Sequence, residues 1–574
     1  MTTTAAKAYA WRYYTLAAAL VVLCALLVGR AALLQVIDTE RGHAFLQRQG
    51  DMRAVRNLSV PATRGVITDR NGDILAMSTP VESIWLNPRH FEATDKAVNV
   101  LADLAGESER DFRRRLQRNS QQSFMYVARQ INPERAQRVI AHRFKGVHSE
   151  TEYKRFYPAA DVVSQVIGFT DINDNGQEAI ELAYESVLAG SPGKKQVIKD
   201  LNGNVIREIA EIEAPKQGSD VQLALDLRLQ YVAQRELAAA VAKFGAKAGS
   251  VVLIDVNTGE LLAMANQPSF NPNNRSKMKI DYVRNRALTD MFEPGSTIKP
   301  LSMIAALRSG KYTPKTVVDT NPGYLRVERK VFPDPVNYGV LNVTKILAKS
   351  SQVGMSKVAL DIGNEPIRRV LLDLGFGQST YSGFPGESSG SFPIYDREPT
   401  GIETATMSFG YGFAVTPVQL ASAYATLASG GIKRPVSLLK VDADIVEGER
   451  VIEEQVAKQV VNMLRDVIKQ GGTGTKAATE LYGVAGKTGT AHKVGPGGYA
   501  DSRYMALFAG LAPVDNPRIA AVVVIDEPGG DNYHGGQVAA PVFSRVVNDS
   551  LRILNVRPSN LLAESASEGL AYAH

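Results

Sequence analysis

The sequence predicts an α/β protein of the α+β kind, with one apolar helix near the amino terminus, a mixed α/β module, and a larger domain built on an antiparallel sheet flanked by helices. Three observations predict this class: a long uncharged stretch after the first dozen residues, strand-like runs that flank short turns in the second half, and a helical spacing of apolar residues after one strand pair. At 574 residues the chain is too long for a single hydrophobic core, so at least two folded domains are expected.

The composition is that of a folded globular protein, with 44% hydrophobic and 22% charged residues. The net charge of +6 is modest for this length, and the densest basic run, 113–115, lies in a mixed-charge segment. We therefore predict no nucleic-acid partner. The single cysteine, Cys24, excludes an intramolecular disulfide, and the seven histidines form no His-Glu-x-x-His motif. No metal or other cofactor is predicted.

Residues 15–28 carry no charge, and the apolar pattern continues beyond Arg30 to about residue 37. With the Arg30 side chain reaching the interface, residues 14–36 supply the roughly 20 residues that a bilayer-spanning helix needs. A cleaved signal peptide has a similar pattern, but no convincing Ala-x-Ala cleavage site is present. The sequence therefore favours an uncleaved transmembrane anchor at 14–36.

The charges on either side of this anchor predict its orientation. Lys7 and Arg12 precede it, whereas Asp38 and Glu40 follow it. Under the positive-inside rule, residues 1–13 form a cytoplasmic tail and the rest of the chain lies outside the cytoplasm. The sequence thus predicts a single-pass membrane protein with an exported body.

Residues 37–217 read as a non-catalytic module of mixed helix and strand. A hairpin is predicted around Asn71–Gly72, and the segment 98–143 has helical periodicity. Glu178 and Glu181 could form an acid/base pair. No nucleophile or cation cluster accompanies them, so a capping and packing role in the module is the favoured interpretation.

A second domain is predicted at 218–557. Its strand-like runs at 250–255 and 260–264 flank a short turn, which indicates an antiparallel pair. The apolar run 519–525 is the last strand of the same sheet. The small and polar residues 558–574 form a loosely held tail.

Ser296 and Lys299 form a Ser-x-x-Lys motif directly after the small turn Pro294–Gly295. If a helix opens at this turn, the hydroxyl and the amine lie on one face, where a base can activate a nucleophile without histidine. Pro300 places Ser296 in the first helical turn, because proline clashes further inside a helix. A second match at 276–279 lies in a polar stretch and is interpreted as solvated surface.

Two further motifs follow in order. Ser350 and Gln352 place a hydroxyl and an amide two residues apart, and residues 487–490 read Lys-Thr-Gly-Thr. The second motif shares its Gly-Lys-Thr with phosphate-binding loops. That interpretation fails because Leu481 stands where the first glycine of such a loop belongs.

The three motifs, in this order, resemble the boxes of the penicillin-recognising serine transpeptidases. The likeness extends to the anchor and to the segments 64–76, 155–158 and 533–543. With these segments, the chain is similar to class B penicillin-binding proteins of the division-specific Gram-negative type. The resemblance implies a penicillin-binding transpeptidase domain at 218–557 and a pedestal, or dimerisation-like, module at 37–217. It also implies a bacterial inner-membrane protein whose catalytic domain lies in the periplasm.

The resemblance implies that Ser296 attacks an acyl carbon, with Lys299 as base and Ser350 as a relay between two amines. An ordinary lysine, with a pKa of about 10.4, is neutral in fewer than about one molecule in a thousand at neutral pH. Keeping it neutral requires roughly 4–5 kcal/mol. Burial and a second cation, Lys487, both act in that direction.

The remaining expected roles concern the substrate. Lys487 with Thr488, Gly489 and Thr490 would hold the terminal carboxylate, and the backbone N–H groups of Ser296 and Thr490 would form the oxyanion hole. The side chains of Tyr504 and Tyr533 resemble the aromatic wall of such sites, although they could equally be ordinary core or rim aromatics. His534 is interpreted as a wall residue and not as a base.

Gln352 departs from the family pattern, which usually has asparagine at this position. The amide survives but is displaced by one methylene, which affects its contact with the substrate amide. The implied substrate is the D-Ala-D-Ala end of a peptidoglycan stem peptide, and β-lactam antibiotics are the implied inhibitors. Residues 40–215 show no glycosyltransferase motif, so a membrane glycosyltransferase and other division proteins are the implied partners.

Two alternatives share these motifs. A serine β-lactamase of class A needs a base in a Glu-x-x-Leu-Asn segment, and none occurs between Gln352 and Lys487; class D enzymes use a carboxylated lysine, which leaves that route open. A non-catalytic or specialised division paralogue is the other alternative. Gln352 favours it, whereas intact Ser296, Lys299 and Ser350 oppose it.

Overall fold

The computed structural model describes residues 4–35, 55–199, 205–495, 498–530 and 532–558. The chain forms two compact units. One comprises Met1–Thr63, Pro80–Tyr153 and Gly190–Gly218, and the other comprises Arg64–Thr79, Lys154–Ala189 and Ser219–His574. Of the predicted segments, residues 37–54 and the tail from 559 lie outside the described residues.

The elements alternate between helix and strand along the chain. Up to residue 213 they are α1 (Thr4–Gln35), β1 (Val55–Val60), β2 (Ile67–Thr68), β3 (Ile74–Leu86), α2 (Asp95–Ala105), α3 (Glu109–Arg118), β4 (Met125–Ile131), α4 (Pro133–Ile140), β5 (Val147–Phe156), α5 (Ser164–Ile167), α6 (Ala179–Ala183), α7 (Glu185–Leu188), β6 (Gly193–Lys199) and β7 (Val205–Glu213).

The second half contains more helix. Its elements are β8 (Val221–Gln222), α8 (Leu227–Lys243), β9 (Ala248–Asp255), β10 (Leu261–Gln267), α9 (Ile280–Val283), α10 (Arg286–Thr289), α11 (Lys299–Arg308), β11 (Val317–Asp319), β12 (Tyr324–Val327), β13 (Lys330–Pro333), β14 (Val340–Asn342), α12 (Val343–Lys349), α13 (Gln352–Ile362), α14 (Asn364–Asp373), α15 (Gly401–Ser408), α16 (Pro417–Ala428), β15 (Ile432–Lys433), β16 (Glu449–Arg450), α17 (Glu454–Ile468), β17 (Ala485–Gly495), β18 (Gly498–Ala512), β19 (Ile519–Asp526) and α18 (Gly535–Ile553).

Helix α1 is long and apolar enough to cross a membrane. Its residues Trp11–Leu33 have a mean hydropathy of 2.4, and none of that stretch is buried against the rest of the chain. The predicted span 14–36 lies within α1 up to residue 35, and residue 36 lies outside the described part. The helix begins ten residues earlier than the predicted span because the alanine-rich start is compatible with a helix.

The first unit contains two small sheets. Strands β1, β6 and β7 form one antiparallel sheet, and the later half of β3 pairs with β4. Helices α2–α4 pack on this pair through a core that includes Ile84, Leu101 and Phe112. The helical periodicity predicted through 98–143 is interrupted by β4, because Met125 and Val127 alternate into that core while the strand pairs with β3.

The first segments of the second unit form the predicted hairpin, in which β2 pairs with the start of β3 and Gly72 takes a positive φ of 93°. Nearby, the carboxylate of Glu181 is fully buried between the guanidinium groups of Arg64 and Arg155, with N–O distances of 2.7 Å to each. This pairing supports the packing role predicted for Glu181, because a buried carboxylate needs such partners.

An antiparallel sheet in the order β10-β9-β19-β18-β17 forms the centre of the second unit. Strand β19, predicted as the last strand of the sheet, lies in its middle, and its first seven residues are all buried. A strand covered on both faces carries apolar residues throughout, which explains the continuous apolar run. Strand β17 is at the edge, so one row of its backbone groups points away from the sheet.

Helices cover both faces of this sheet. Helices α8 and α18 pack on one face through a core that includes Leu237, Phe508 and Phe543. Helices α11, α16 and α17 form the layer on the other face, with Ile304, Tyr424 and other buried side chains. The predicted fold class, a helix-flanked antiparallel sheet in an α+β chain, is therefore confirmed.

Candidate active site

Ser296 lies in a 3₁₀ turn, Gly295–Ile298, that runs directly into α11 at Lys299. Side chains three residues apart eclipse each other in a 3₁₀ turn, so Ser296 and Lys299 lie on the same side. Pro300 is within the first turn of α11, where its missing N–H is harmless. The predicted opening of a helix at Pro294–Gly295 thus occurs, with a 3₁₀ turn in place of the first α-helical turn.

The turn is held from three directions. The Gly295 N–H donates to the Gly410 carbonyl at 3.0 Å, and a Cβ at Gly410 would lie 2.2 Å from the Gly295 oxygen. The hydroxyl of the fully buried Tyr424 donates to the Thr297 carbonyl at 2.8 Å. A Cβ at Gly489 would lie 2.9 Å from Thr297 Cγ2, so glycine there lets β17 approach the turn.

Ser350 joins two lysine side chains. Lys299 Nζ donates to the Ser350 carbonyl at 2.5 Å and lies 3.2 Å from its Oγ, while Lys487 Nζ lies 3.0 Å from the same Oγ. Ser350 ends α12 in the left-handed region, with φ 59° and ψ 35°. That conformation costs a non-glycine residue roughly 1–2 kcal/mol, so the surrounding contacts must hold it.

Both lysine side chains are completely buried. Burial lowers the pKa of Lys299 to about 7, and the negative charge of Asp334 opposes this decrease. Burial also lowers the pKa of Lys487 far below its usual value, and the charge on Lys299 lowers it further. Burial therefore favours the neutral form of both amines, and the Asp334 charge acts against this effect at Lys299.

The Lys-Thr-Gly-Thr motif lies on the edge strand β17. Lys487 Nζ donates to the Thr488 carbonyl at 3.0 Å, and Thr488 Oγ1 is 2.8 Å from Thr473 Oγ1. Thr490 Oγ1 accepts the Gly535 N–H at 3.1 Å. These contacts place the buried amine, the buried Thr488 hydroxyl and the partly buried Thr490 hydroxyl along one edge strand, which is an arrangement that can bind a carboxylate.

The predicted aromatic side chains form one stack. The rings of Tyr504 and Tyr533 are parallel, with centroids 4.0 Å apart and an interplanar angle of 14°. The ring centroid of His534 lies 4.4 Å from that of Tyr533, and the ring centroid of His492 lies 4.8 Å from that of Tyr504. His492 was not predicted. Its position two residues after Thr490 on the same strand was the available signal, because alternate residues of a strand share a face.

Gln352 begins α13 and lines a cavity of about 200 Å³ together with Phe409, Tyr411 and His492. Its backbone N–H donates to Asp334 Oδ1 at 2.6 Å. Asp334, which is 8% exposed, is a site residue that the sequence analysis missed. The signal that could have found it is an acid placed between two prolines just after a strand.

Comparison with known proteins agrees with this geometry. The model of the penicillin-binding protein transpeptidase domain matches residues 249–548, and the model of the penicillin-binding protein dimerisation domain matches residues 59–223. The chain belongs to the penicillin-binding transpeptidases. The family and the enzyme class predicted from the sequence, a serine-type peptidoglycan transpeptidase, are therefore confirmed.

Relatives cover almost the whole chain of this transpeptidase. It is 41% identical over 570 residues to the peptidoglycan D,D-transpeptidase FtsI of Escherichia coli, covering 97% of this chain and 94% of that protein. It is 43% identical over 549 residues to a protein of Pseudomonas aeruginosa named as a probable peptidoglycan D,D-transpeptidase, PbpC, covering 96% of each. These relatives and helix α1 support a membrane-anchored protein.

Solved structures of penicillin-binding protein 3 resemble the same transpeptidase. The protein from Mycobacterium tuberculosis is 28% identical, with a TM-score of 0.66, and the match covers 88% of this chain and 98% of that one. The transpeptidase domain from Burkholderia pseudomallei is 40% identical, with a TM-score of 0.54, and the match covers 59% of this chain and 97% of that one. The Mycobacterium protein has also been solved in complex with aztreonam.

Proposed function

We propose that this protein cross-links peptidoglycan by transferring D-Ala-D-Ala stem peptides through an acyl-enzyme on Ser296. The observation that carries the proposal is the pair of buried amines, Lys299 and Lys487, that meet at the hydroxyl of Ser350 beside the Ser296 turn. Such a cluster provides a base with a pKa near neutrality and a second site for its proton.

The substrate's own carboxylate completes the site. Bound at Lys487, Thr488 and Thr490, the terminal carboxylate stabilises a charged Lys487, and that charge disfavours a second proton on Lys299. Ser350 Oγ contacts both amines and can pass a proton between them. Neutral Lys299 is then available to accept the Ser296 proton, which couples substrate binding to activation of the nucleophile.

Acylation begins when Ser296 Oγ bonds to the carbonyl carbon of the penultimate D-Ala while its proton passes to Lys299. The N–H groups of Ser296 and Thr490 stabilise the oxyanion. The C–N bond to the last D-Ala breaks as Ser350 relays the proton from Lys299 to the departing amine. The amine of a neighbouring stem peptide then attacks the ester carbon and gives a proton to Lys299. The C–O bond to Ser296 breaks, and the Ser296 oxygen takes up that proton, which forms the cross-link and restores the hydroxyl.

Recognition of the donor peptide uses the edge strand. An extended peptide laid along β17 can hydrogen-bond to the backbone groups that face away from β18, as in strand addition. Gly489 lets β17 approach the Ser296 turn closely, and Gln352 lines a cavity together with His492, which lies two residues after Thr490 on β17. Tyr504, Tyr533 and His534 form the aromatic wall of the site in this proposal.

The Gln352→Asn variant tests the amide contact. Restoring the shorter side chain that is usual in the family removes one methylene and should raise the efficiency of penicillin acylation by up to about tenfold, which corresponds to one hydrogen bond of roughly 0.5–1.5 kcal/mol. Gln352→Ala should lower it by a similar factor. Stopped-flow acylation with a fluorescent penicillin measures both, and an efficiency unaffected by either change would show that the Gln352 amide makes no substrate contact.

In the cell, we propose that residues 1–13 lie in the cytoplasm, that 14–36 spans the inner membrane and that the transpeptidase domain, 218–557, acts in the periplasm. The module 37–217 and the anchor are proposed as docking surfaces for a membrane glycosyltransferase and other division proteins. The charges before and after α1 support this orientation under the positive-inside rule.

Labelling of the membrane-bound protein with a fluorescent penicillin tests the proposed function. We expect one stable label per chain and release of D-alanine from a D-Ala-D-Ala pentapeptide in the presence of an acceptor amine. Rapid hydrolysis of the label would identify a β-lactamase instead. Complete absence of labelling would identify a non-catalytic paralogue and overturn the proposal.

A further inference from the structure

Asp334 connects the loop that carries Ser350 to the rest of the site. It follows β13 directly and its N–H donates to the Gly323 carbonyl at 2.8 Å, so its position is set by the two-stranded β12–β13 sheet. Its carboxylate accepts the Ser351 hydroxyl and the N–H groups of Gln352 and Val353, at 2.6 and 3.3 Å for the two N–H groups. A nearly buried carboxylate that accepts three hydrogen bonds is a strong anchor.

These contacts bear on the conformation of Ser350. Helix α12 ends at Lys349 and α13 begins at Gln352, so only Ser350 and Ser351 separate the two helices. Ser350 and Ser351 N–H groups donate back to the carbonyls of Leu347 and Ile346, at 3.2 and 3.0 Å. Asp334 holds the other side of this junction. The left-handed backbone of Ser350 is thereby clamped between α12 and the Asp334 carboxylate.

The negative charge of Asp334 also acts on the buried Lys299 amine. Among the described residues, the charged groups that act on the Lys299 ammonium are Asp334, which follows β13, and Lys487 on β17. The ring of Phe409 lies 6.0 Å from Lys299 Nζ, and α13, α14 and α17, which pack on α11, add no further ionic interaction to it. The Asp334 carboxylate therefore offsets part of the cost of charging a fully buried amine.

We propose that Asp334 is a positioning residue for the transfer reaction: its carboxylate clamps the segment that carries Ser350, and its negative charge acts on the buried Lys299 amine. The inference rests on the proposed function, because it takes Lys299 as the base. Asp334 has no role in proton transfer itself, since it contacts neither Lys299 nor the substrate-binding strand.

The pH dependence of acylation separates the two parts of this role. In the wild-type protein the rate should fall about tenfold per pH unit below the Lys299 pKa of about 7, because the base becomes protonated. Asp334→Asn removes the charge that favours the protonated amine, so the midpoint should move to lower pH by about 0.5–1 unit. The rate at the high-pH plateau should fall about tenfold, because the clamp on Ser350 is weakened.

Two control variants isolate charge from geometry. Ser351→Ala removes the hydrogen bond to Asp334, together with the one that the hydroxyl accepts from the Gly354 N–H, and removes no charge. The plateau rate should therefore fall while the midpoint of the pH profile stays. Asp334→Glu keeps the charge but displaces the carboxylate. It should likewise lower the acylation rate at the high-pH plateau, with little change in the midpoint of the pH profile. Thermal melting and far-ultraviolet circular dichroism check that each variant is folded.

The outcomes are distinct from a failure of the proposed function. If the wild-type protein shows no acid limb near neutral pH, the assignment of Lys299 as the base is wrong. If the wild-type limb is present and Asp334→Asn leaves its midpoint unchanged, only the electrostatic role of Asp334 is refuted. An unchanged plateau in Asp334→Asn and Ser351→Ala would refute the clamp.

Discussion

Ser296→Ala should reduce the rate of penicillin acylation by at least about 10³-fold, and no label should remain on the protein after denaturation. The hydroxyl is the atom that bonds to the acyl carbon, and no neighbouring group replaces it. Because Ser296 is only partly buried, its replacement by alanine should leave the melting temperature within about 2 °C of the wild-type value. Gel fluorescence after labelling and differential scanning fluorimetry measure the two quantities.

The sequence supplies a matched control. Ser276 also begins a Ser-x-x-Lys motif, but it is exposed, and its hydroxyl donates to Asn274 at 2.8 Å. Ser276→Ala should label at the wild-type rate. Persistent labelling of Ser296→Ala, or loss of labelling in Ser276→Ala, would contradict the assignment of the nucleophile.

Lys299→Met should abolish activity while stabilising the fold. Loss of a general base lowers rates by about 10²–10⁴-fold. The native state keeps Lys299 buried with a pKa of about 7, whereas the unfolded chain has the usual value of about 10.4. The buried amine therefore costs up to about 4 kcal/mol at neutral pH, partly offset by its hydrogen bonds to Ser350, and methionine should raise the melting temperature by about 2–5 °C.

The sign of the pH dependence is an independent check on Lys299. Between pH 7 and about 10.4 the unfolded chain binds a proton at this residue that the native chain does not, so the stability contributed by this site rises with pH across that window and is constant below it. Lys299→Met should lack this rise. A variant that melts below the wild-type protein at pH 7 and keeps its pH dependence would show that Lys299 is not a strained buried base.

Much of the site could be predicted from the chain because the chemistry is local. The 3₁₀ turn that aligns Ser296 with Lys299 is encoded by Pro294–Gly295, just before the serine, and by Pro300, just after the lysine. The central sheet followed from apolar runs bounded by turns. Strand β4 was missed inside a helical pattern, because its pairing with β3 is a long-range contact that the local pattern does not contain.

Other features of the site depend on residues that are distant in sequence. Asp334 contacts the start of α13 at Gln352, eighteen positions further along the chain. His492 joins the aromatic stack only because β17 and β18 pair in the register that places it opposite Tyr504. The local signals at these two residues do not specify the distant partners, so neither contact was predicted.

The sequence by itself determined the family, the order of the three motifs and the apolar amino-terminal helix, because each depends on residue types at short spacings. Only the tertiary structure decided that both lysines are completely buried and that the Asp334 charge acts on Lys299. Burial lowers the pKa of both amines, and burial and through-space charge exist only once the helices and the edge strand have packed together.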